Sequence, residues 1–155
     1  HNNYFLTSCD CFGEIDMYKL NKLIKRKNID LIFFAFKYSN MQKSLGNSHT
    51  QLKIKDEILY DIDVKKKFLL NQMGHAGFFW VKSGKVFNFL NNFKTSKNFK
   101  SLQREVLIDD YFKYLIVNRL IKTDYLRLES YTHIGSDKEY LEYKYWNNYF
   151  KKNYV

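Results

Sequence analysis

Residues 4–36 read YFLTSCDCFGEIDMYKLNKLIKRKNIDLIFFAF, and this stretch decides the predicted fold. Tyr4–Cys9 is a short apolar and aromatic run, typical of a buried strand, and Asp10 follows it directly. Apolar residues then recur at helical spacing, with lysines between them, up to Asn28. Ile29–Phe36 is a second apolar run of strand length. A strand, a helix and a strand within about 33 residues predict a βαβ unit, with parallel strands joined by a right-handed crossover.

Further strands and helices are predicted downstream of this unit. Gln51–Lys55 and Ile58–Val64 alternate apolar and polar residues around Asp56-Glu57, which indicates a hairpin. The remaining predicted elements are the strands Ala76–Val81 and Tyr125–Tyr131, the helices Ser83–Asn92, Leu107–Ile121 and Ser136–Trp146, and a solvated linker over Lys94–Lys100. We therefore predict a single domain over residues 1–155, of the α/β class, with a mixed, mostly parallel sheet flanked by helices.

Composition narrows the class of protein. A hydrophobic content of 45% in 155 residues excludes a disordered chain and suffices for a buried core. No apolar run approaches the roughly 20 residues of a membrane-spanning helix, and the start has no signal-peptide pattern, so we expect a cytoplasmic protein without membrane contact. Cys9 and Cys11 are expected to be reduced thiols, because a disulfide between them would be strained.

The net charge of +10 invites comparison with nucleic-acid-binding proteins, but only four of the 26 basic residues are arginines. The abundance of lysine, asparagine, isoleucine, phenylalanine and tyrosine, with no proline, is typical of codon bias in an AT-rich genome. Nucleic-acid recognition relies heavily on arginine for bidentate contacts. We therefore expect no nucleic-acid partner, although attraction for anionic ligands such as nucleotides remains.

Several polar positions are candidates for chemistry. Ligands of α/β folds bind at the carboxyl ends of strands, which points to Asp10 and to Gly74–Gly77. Asp10 there suits Mg²⁺, or it caps a turn. Asp109 and Asp110 either stabilise a helix N-terminus or supply a second carboxylate to the same ion. The run Lys65–Lys67 is either a solvated face or holds one lysine that meets a phosphate.

Other catalytic patterns are missing from the sequence. There is no P-loop, no GxSxG nucleophile elbow and no HExxH zinc motif, which argues against hydrolases built on them. His49, His75 and His133 have no partner signal in the sequence, and we predict that they are structural or surface residues.

Five segments, in order along most of the chain, resemble sugar-1-phosphate nucleotidyltransferases. They read YFLTSCDCFGEIDMYKLNKLI, LKIKDEILYDIDVKKKF, GHAGFFWVKSGKVFNFL, EVLIDDYFKYLI and ESYTHIGSDKEYLEYKYW. The resemblance implies that Asp10 and Asp110 are catalytic and bind Mg²⁺, with Asp110 preferred to Asp109. It further implies that Lys66 or Lys67 binds the sugar phosphate and that Gly77 lies at the sugar site. The family's glutamate and proline beside that lysine are absent here.

The implied reaction moves a nucleotidyl group from a nucleoside triphosphate to a sugar-1-phosphate and gives a nucleotide-sugar for surface polysaccharide synthesis. The family's glycine-rich nucleotide loop, with its arginine and lysine, does not occur in this sequence. We therefore expect the chain to correspond to the C-terminal part of such an enzyme and to be inactive alone. A sheet without its usual first strand would expose apolar surface, which favours association into a homo-oligomer.

Two alternatives remain open at this stage. A metal-dependent glycosyltransferase-like domain would also place an acidic residue after a strand, although the usual paired acids are missing around Asp10. A non-catalytic regulatory or interaction domain would fit the absent motif residues and the basic surface. Nucleotide-sugar hydrolysis would favour the first alternative, and a failure to bind metal and sugar phosphate would favour the second.

Overall fold

The computed structural model describes residues 3–38, 49–66 and 73–154. The strands are β1 Tyr4–Thr7, β2 Cys11–Glu14, β3 Leu31–Lys37, β4 His49–Lys55, β5 Ile58–Lys66, β6 Met73–Val81, β7 Thr123–Arg127 and β8 Ser130–His133. The α-helices are α1 Met17–Lys27, α2 Leu90–Thr95, α3 Lys97–Lys100, α4 Ile108–Val117 and α5 Asp137–Tyr154, and a 3₁₀-helix over Gly84–Phe89 precedes α2. Lys67 lies outside the described residues.

A six-stranded mixed sheet organises the chain in the order β5-β4-β6-β3-β7, with β1 paired to β6. Helices flank the sheet, so the α/β class is confirmed. Among the described strands, the parallel pairing is β3 with β7, and the other pairings of this sheet are antiparallel. The expectation of a mostly parallel sheet was therefore wrong in its balance, because strands later in the chain run back between the earlier ones.

The predicted parallel pair at the start of the chain is also corrected. β1 and β3 each pair antiparallel with β6, which lies between them. Nine residues make β6 long enough to hold β1 along 78–81 and β4 along 73–74. Periodicity identifies a strand but not its neighbour, so the sequence could not reveal this insertion.

Strands β4 and β5 form the hairpin that the sequence predicts. β4 and β5 pair antiparallel on either side of Asp56 and Glu57. Both turn residues have positive φ, at 49° and 61°, as a two-residue hairpin turn requires when its twist matches that of the strands.

Two clusters of buried residues cover the two faces of the sheet, and β3 contributes side chains to both. Its residues Leu31–Phe36 are at most 3% exposed. On one face Phe33 packs edge-to-face against Phe79 and against Phe112 of α4, with ring centroids 5.2 and 6.1 Å apart. On the other face Phe34 and Trp80 belong to a cluster with Leu20 of α1. A continuous apolar run is thus explained by burial on both faces.

Three local predictions are refined by the structure. The predicted linker Lys94–Lys100 contains α3, because Ser96 caps it and Phe99 packs on Phe93 with ring centroids 5.3 Å apart. The first strand ends at Thr7, and a turn at Cys9-Asp10 leads into β2. The predicted strand Tyr125–Tyr131 divides into β7 of the main sheet and β8, which pairs antiparallel with β2.

The C-terminal helix begins with one half of the predicted capping box, since Glu139 accepts from the Ser136 hydroxyl and the Gly135 N–H. The backbone N–H of Glu139 donates to Ser136 Oγ at 3.3 Å, and that hydroxyl donates to the Glu139 carboxylate at 2.9 Å. The helix continues past Trp146 to Tyr154. Among the described residues, no helix combines the length and the apolar character needed to span a membrane.

Candidate functional site

A cleft of about 550 Å³ opens beyond the C-terminal end of β1. Its floor includes Gly77 and Phe79 of β6, and its rim includes the turn after β1 and the start of α4. The ionisable side chains on its walls are Asp10, Cys11, His49, Lys65, His75, Asp109, Tyr131 and His133. Three of the chain's four histidines therefore line one cavity.

The cleft cluster, which we define as Asp10, Cys11, His133 and Glu139, lies at one end of this cavity. The antiparallel pairing of β2 with β8 places Cys11 opposite His133. His133 Nε2 is 3.3 Å from Asp10 Oδ2, and Cys11 Sγ donates to Asp10 Oδ1 at 3.4 Å. Although partial burial opposes it, hydrogen bonds from Ser8 and Cys11 lower the pKa of Asp10.

Glu139 fixes the orientation of the His133 ring. Its Oε1 lies 3.1 Å from His133 Nδ1, while Oε2 accepts from Ser136 Oγ at 2.9 Å and from the Gly135 N–H at 3.2 Å. Both ring nitrogens of His133 thus face carboxylates. Asp10, Cys11 and His133 each offer one donor atom, and these three atoms lie within 4.8 Å of one another. The three residues can therefore hold a metal ion.

His75, which is buried, lies beside the partly buried Asp109 on the wall of the cleft. His75 Nδ1 lies 3.1 Å from Asp109 Oδ1, and His75 Nε2 lies 3.1 Å from the carbonyl oxygen of Phe78. A carbonyl can only accept, so Nε2 carries a proton and donates to Phe78. With that proton on Nε2, His75 can donate to Asp109 only when Nδ1 carries a second proton. Among the described residues, Asp109 Oδ1 has no hydrogen-bond partner, so this oxygen can accept a bond from a ligand in the cleft.

Asp110 does not occupy the position that the sequence suggested. Arg104 donates to both of its carboxylate oxygens, at 2.8 and 2.7 Å, and the Leu107 N–H donates to Oδ2 at 2.9 Å. Asp110 therefore closes the start of α4, and Asp109 is the carboxylate on the cleft wall. One step along a helix turns a side chain by about 100°, so two adjacent acids must face different surroundings.

The lysine on the cleft is Lys65, not Lys66. Lys65 has a φ of 47° and lines the cavity. The Lys66 side chain is 65% exposed and its ammonium lies 3.6 Å from Asp63. Lys67, the other predicted phosphate ligand, lies outside the described residues.

Gly77 lies on the cleft wall with a φ of 77°. A Cβ at this position would lie 2.4 Å from Ser8 Oγ, and the Gly77 carbonyl accepts from the Ser8 N–H at 3.0 Å. Glycine is required here because the chain beyond β1 crosses β6 at close range, which brings the turn carrying Asp10 onto the cleft.

The predicted structural roles of the histidines need revision for two of them. His133 and His75 hold acidic groups of the cleft, whereas His49 fits the expectation of a structural residue. Burial, assisted by the nearby His133 charge, lowers the pKa of His49 to about 4, so its ring is neutral at pH 7. No signal in the sequence indicates this grouping, because the three histidines are far apart along the chain and meet only in the folded protein.

Neither a protein-family model nor a curated protein sequence matches the chain. Solved structures do share its fold. A protein from Bacillus anthracis assigned as a glucose-1-phosphate thymidylyltransferase, in complex with sucrose, aligns with a TM-score of 0.66 and 12% identity over 91% of this chain. A nucleoside-diphosphate-sugar pyrophosphorylase from Vibrio cholerae RC9 aligns with a TM-score of 0.64 and 11% identity over 91% of this chain.

HddC from Yersinia pseudotuberculosis aligns over 92% of this chain, with a TM-score of 0.55 and 14% identity. The chain spans about half the length of these structures, namely 52%, 55% and 54%. At these identities the comparisons show a nucleotide-diphospho-sugar transferase-like fold.

Proposed function

We propose that this chain forms the sugar-phosphate-binding part of a sugar-1-phosphate nucleotidyltransferase. The reaction is transfer of a nucleotidyl group from a nucleoside triphosphate to a sugar-1-phosphate, giving a nucleotide-sugar for surface polysaccharide synthesis. Two lines of argument support it: the collinear sequence segments and the likeness in fold. The observation that carries it is a single cleft whose walls combine acidic, basic and glycine positions: Asp10, Asp109, Lys65 and Gly77.

The cleft residues divide the substrate between them. Lys65 meets the phosphate as a point charge, and the Asp109 carboxylate, which lies beside His75, accepts hydrogen bonds from sugar hydroxyls. Gly77 lets Ser8 and the turn that carries Asp10 pack against β6 at the edge of this substrate site. An oxygen of the bound phosphate then attacks the α-phosphate of the triphosphate in line, and pyrophosphate leaves. No covalent intermediate on the protein is needed, so these residues act by positioning and by electrostatic stabilisation.

Mg²⁺, which the resemblance implies, does not fit the ligands at Asp10. Magnesium takes oxygen ligands in octahedral geometry. Here the neighbours of the Asp10 carboxylate are a thiol and an imidazole, and Asp110, the second predicted oxygen ligand, is held by Arg104. The proposed reaction therefore assigns no role to magnesium held by this chain.

Binding of sugar-1-phosphates to the whole chain tests the proposal. Isothermal titration with glucose-1-phosphate and other aldose 1-phosphates should reveal at least one ligand. Two adjacent pairs of residues provide matched controls. Lys65→Ala should weaken binding roughly 10- to 150-fold, because one charge-assisted contact contributes roughly 1.5–3 kcal/mol, and Lys66→Ala should leave it unchanged.

Asp109→Asn should likewise weaken binding about tenfold. Asp110→Asn should instead lower the free energy of unfolding by about 1–2 kcal/mol and leave affinity unchanged, because it removes a helix cap and a bidentate ion pair. Absence of binding to every sugar-1-phosphate, or equal effects within each pair, would overturn the proposal. Tighter binding of intact nucleotide-sugars than of sugar-1-phosphates would favour the glycosyltransferase alternative instead.

A further inference from the structure

We infer that Asp10, Cys11 and His133 form a site for a transition-metal ion of the zinc or cobalt type. This inference rests on the geometry and chemistry of the cleft cluster and does not depend on the proposed transfer reaction. It replaces the hard cation expected from the sequence with an ion that accepts sulfur and nitrogen ligands.

The spacing of the donor atoms fits one ion. Atoms that bind a tetrahedral ion at about 2.0–2.3 Å lie roughly 3.3–3.8 Å from each other. Asp10 Oδ2 and His133 Nε2 are 3.3 Å apart, and Asp10 Oδ1 and Cys11 Sγ are 3.4 Å apart. These two distances use different oxygens of Asp10. Taken as one atom per residue, the three donors lie within 4.8 Å of one another, so movements of about 1 Å bring them to tetrahedral spacing. Three protein ligands leave a fourth position for water or for an oxygen of a ligand in the cleft.

The identity of the donors selects the metal. Thiolate and imidazole favour zinc, cobalt and similar ions, whereas magnesium binds them poorly. When the ion binds, the Cys11 thiol gives up its proton to solvent and His133 presents a neutral Nε2. The hydroxyl of Tyr131 lies 3.4 Å from Cys11 Sγ and can donate to the resulting thiolate.

The surroundings of His133 match those of metal-bound histidines. A histidine that binds a metal through one nitrogen usually donates its other N–H to a carboxylate, which fixes the ring and its tautomer. Glu139 Oε1 lies 3.1 Å from His133 Nδ1 and serves this purpose. Glu139 is in turn held by Ser136 and by the Gly135 N–H, so its orientation is set before any ion arrives.

The charge balance of the cluster also calls for a cation. Two carboxylates, Asp10 and Glu139, share the single imidazole of His133. Among the described residues, Asp10 forms its ion pair with His133 and not with a lysine or an arginine, although the protein carries a net charge of +10. A divalent ion would balance the Asp10 carboxylate and the Cys11 thiolate.

Cobalt titration of the full chain, after removal of metals with a chelator, tests the inference. Co²⁺ should produce visible absorption bands of tetrahedral intensity and a sulfur-to-cobalt charge-transfer band in the near ultraviolet. Zn²⁺ should displace the cobalt at equimolar concentration, while a large excess of Mg²⁺ should not. Absence of the sulfur-dependent band, or displacement by Mg²⁺, would overturn the inference.

The chain offers a matched control for the thiol. Cys11→Ser should abolish the charge-transfer band, and Cys9→Ser should preserve it because Cys9 is exposed and outside the cluster. Glu139→Gln should weaken cobalt binding roughly 10- to 100-fold while keeping the shape of the spectrum, as expected of a residue that orients a ligand. Loss of the band in Cys9→Ser, or equal cobalt affinity in Glu139→Gln, would contradict the assignment.

Circular dichroism of each variant separates loss of a ligand from loss of the fold. Sugar-1-phosphate binding is measured separately on the metal-free protein. Metal binding without sugar-phosphate binding would leave the metal site intact and refute the proposed function, and the reverse result would refute only the metal site.

Discussion

Two clusters of charged side chains lie at different places on the sheet and differ in how their charges are balanced. The strand cluster, which we define as Lys53, Asp61, Asp63, Lys66 and Lys113, joins β4, β5 and α4. Lys53 lies 3.2 Å from Asp61 and 3.1 Å from Asp63. Lys113 lies 3.5 and 3.4 Å from the same carboxylates and also donates to the Ile62 carbonyl. Lys66 adds a third ammonium at 3.6 Å from Asp63.

The cleft cluster has the opposite balance. Three ammonium groups serve two carboxylates in the strand cluster, whereas two carboxylates share one imidazole in the cleft cluster. The first arrangement has more ammonium groups than carboxylates and ties two strands to a helix. The second places the Asp10 carboxylate and the Cys11 thiol on the wall of a cavity. The balance of charge, more than the presence of buried acids, distinguishes a structural network from a candidate binding site.

The largest expected loss of stability comes from breaking the strand cluster. Asp63→Ala should lower the free energy of unfolding by about 2–3 kcal/mol, because the Asp63 carboxylate is only 8% exposed and pairs with three ammonium groups, of which two keep Asp61 as their remaining partner. Asp10→Ala should change it by less than about 1 kcal/mol, because the Asp10 side chain is 40% exposed and a second carboxylate remains beside His133. Urea unfolding of the metal-free variants measures both, and equal losses would contradict the distinction between the clusters.

A smaller effect is expected from disturbing the cleft without touching a charged group. Gly77→Ala should cost about 1–2 kcal/mol, because the φ of 77° is strained for alanine and the new Cβ meets Ser8 Oγ. It should also shift the turn that carries Asp10 and weaken cobalt binding. Gly84→Ala is the control, since a Cβ there meets no atom within 4 Å, and should change stability by less than about 0.5 kcal/mol. Thermal unfolding of both variants would refute the steric explanation if they behaved alike.

The smallest effect concerns pH. Burial by itself would raise the pKa of Asp63, but Lys53, Lys113 and Lys66 lower this pKa below its ordinary value. The resulting stability is present above the unfolded-state pKa near 3.9 and is lost as the pH falls through the lower, folded-state pKa. The melting temperature should therefore exceed that of Asp63→Asn by roughly 2–4 °C at pH 7, and the gap should close in strong acid. A gap that widened toward low pH would contradict the predicted sign.

The elements that the sequence revealed are those with local causes. The hairpin turn at Asp56-Glu57, the helix cap at Ser136 and the buried run of β3 each follow from a few neighbouring residues. The neighbours of each strand were not predictable, because the antiparallel insertion of β6 depends on contacts between distant parts of the chain. The predicted fold class was therefore correct, and the predicted strand directions were wrong.

Only some of the cleft residues could be predicted from the sequence. Asp10 and Gly77 were singled out by their positions at strand ends, and both lie on the cavity. His133 was not, because it reaches Asp10 through the register of β2 with β8, near opposite ends of the chain. Asp109 and Asp110 are neighbours in the chain, and so are Lys65 and Lys66. Adjacent side chains point in different directions, so a shift of one residue decides which of the two faces the cleft. A positive φ at Lys65 interrupts the alternation from which such directions are inferred.

The position of β6 between β1 and β3 has a consequence for biosynthesis. Strands β1 and β3 leave the ribosome before β6, and neither can acquire its hydrogen-bonding partner until residues 73–81 have been made. During that interval the apolar run of β3 has no native strand beside it and is a target for chaperones or for aggregation. Pairing across such long stretches of chain also makes folding slower than in proteins whose neighbouring strands are consecutive.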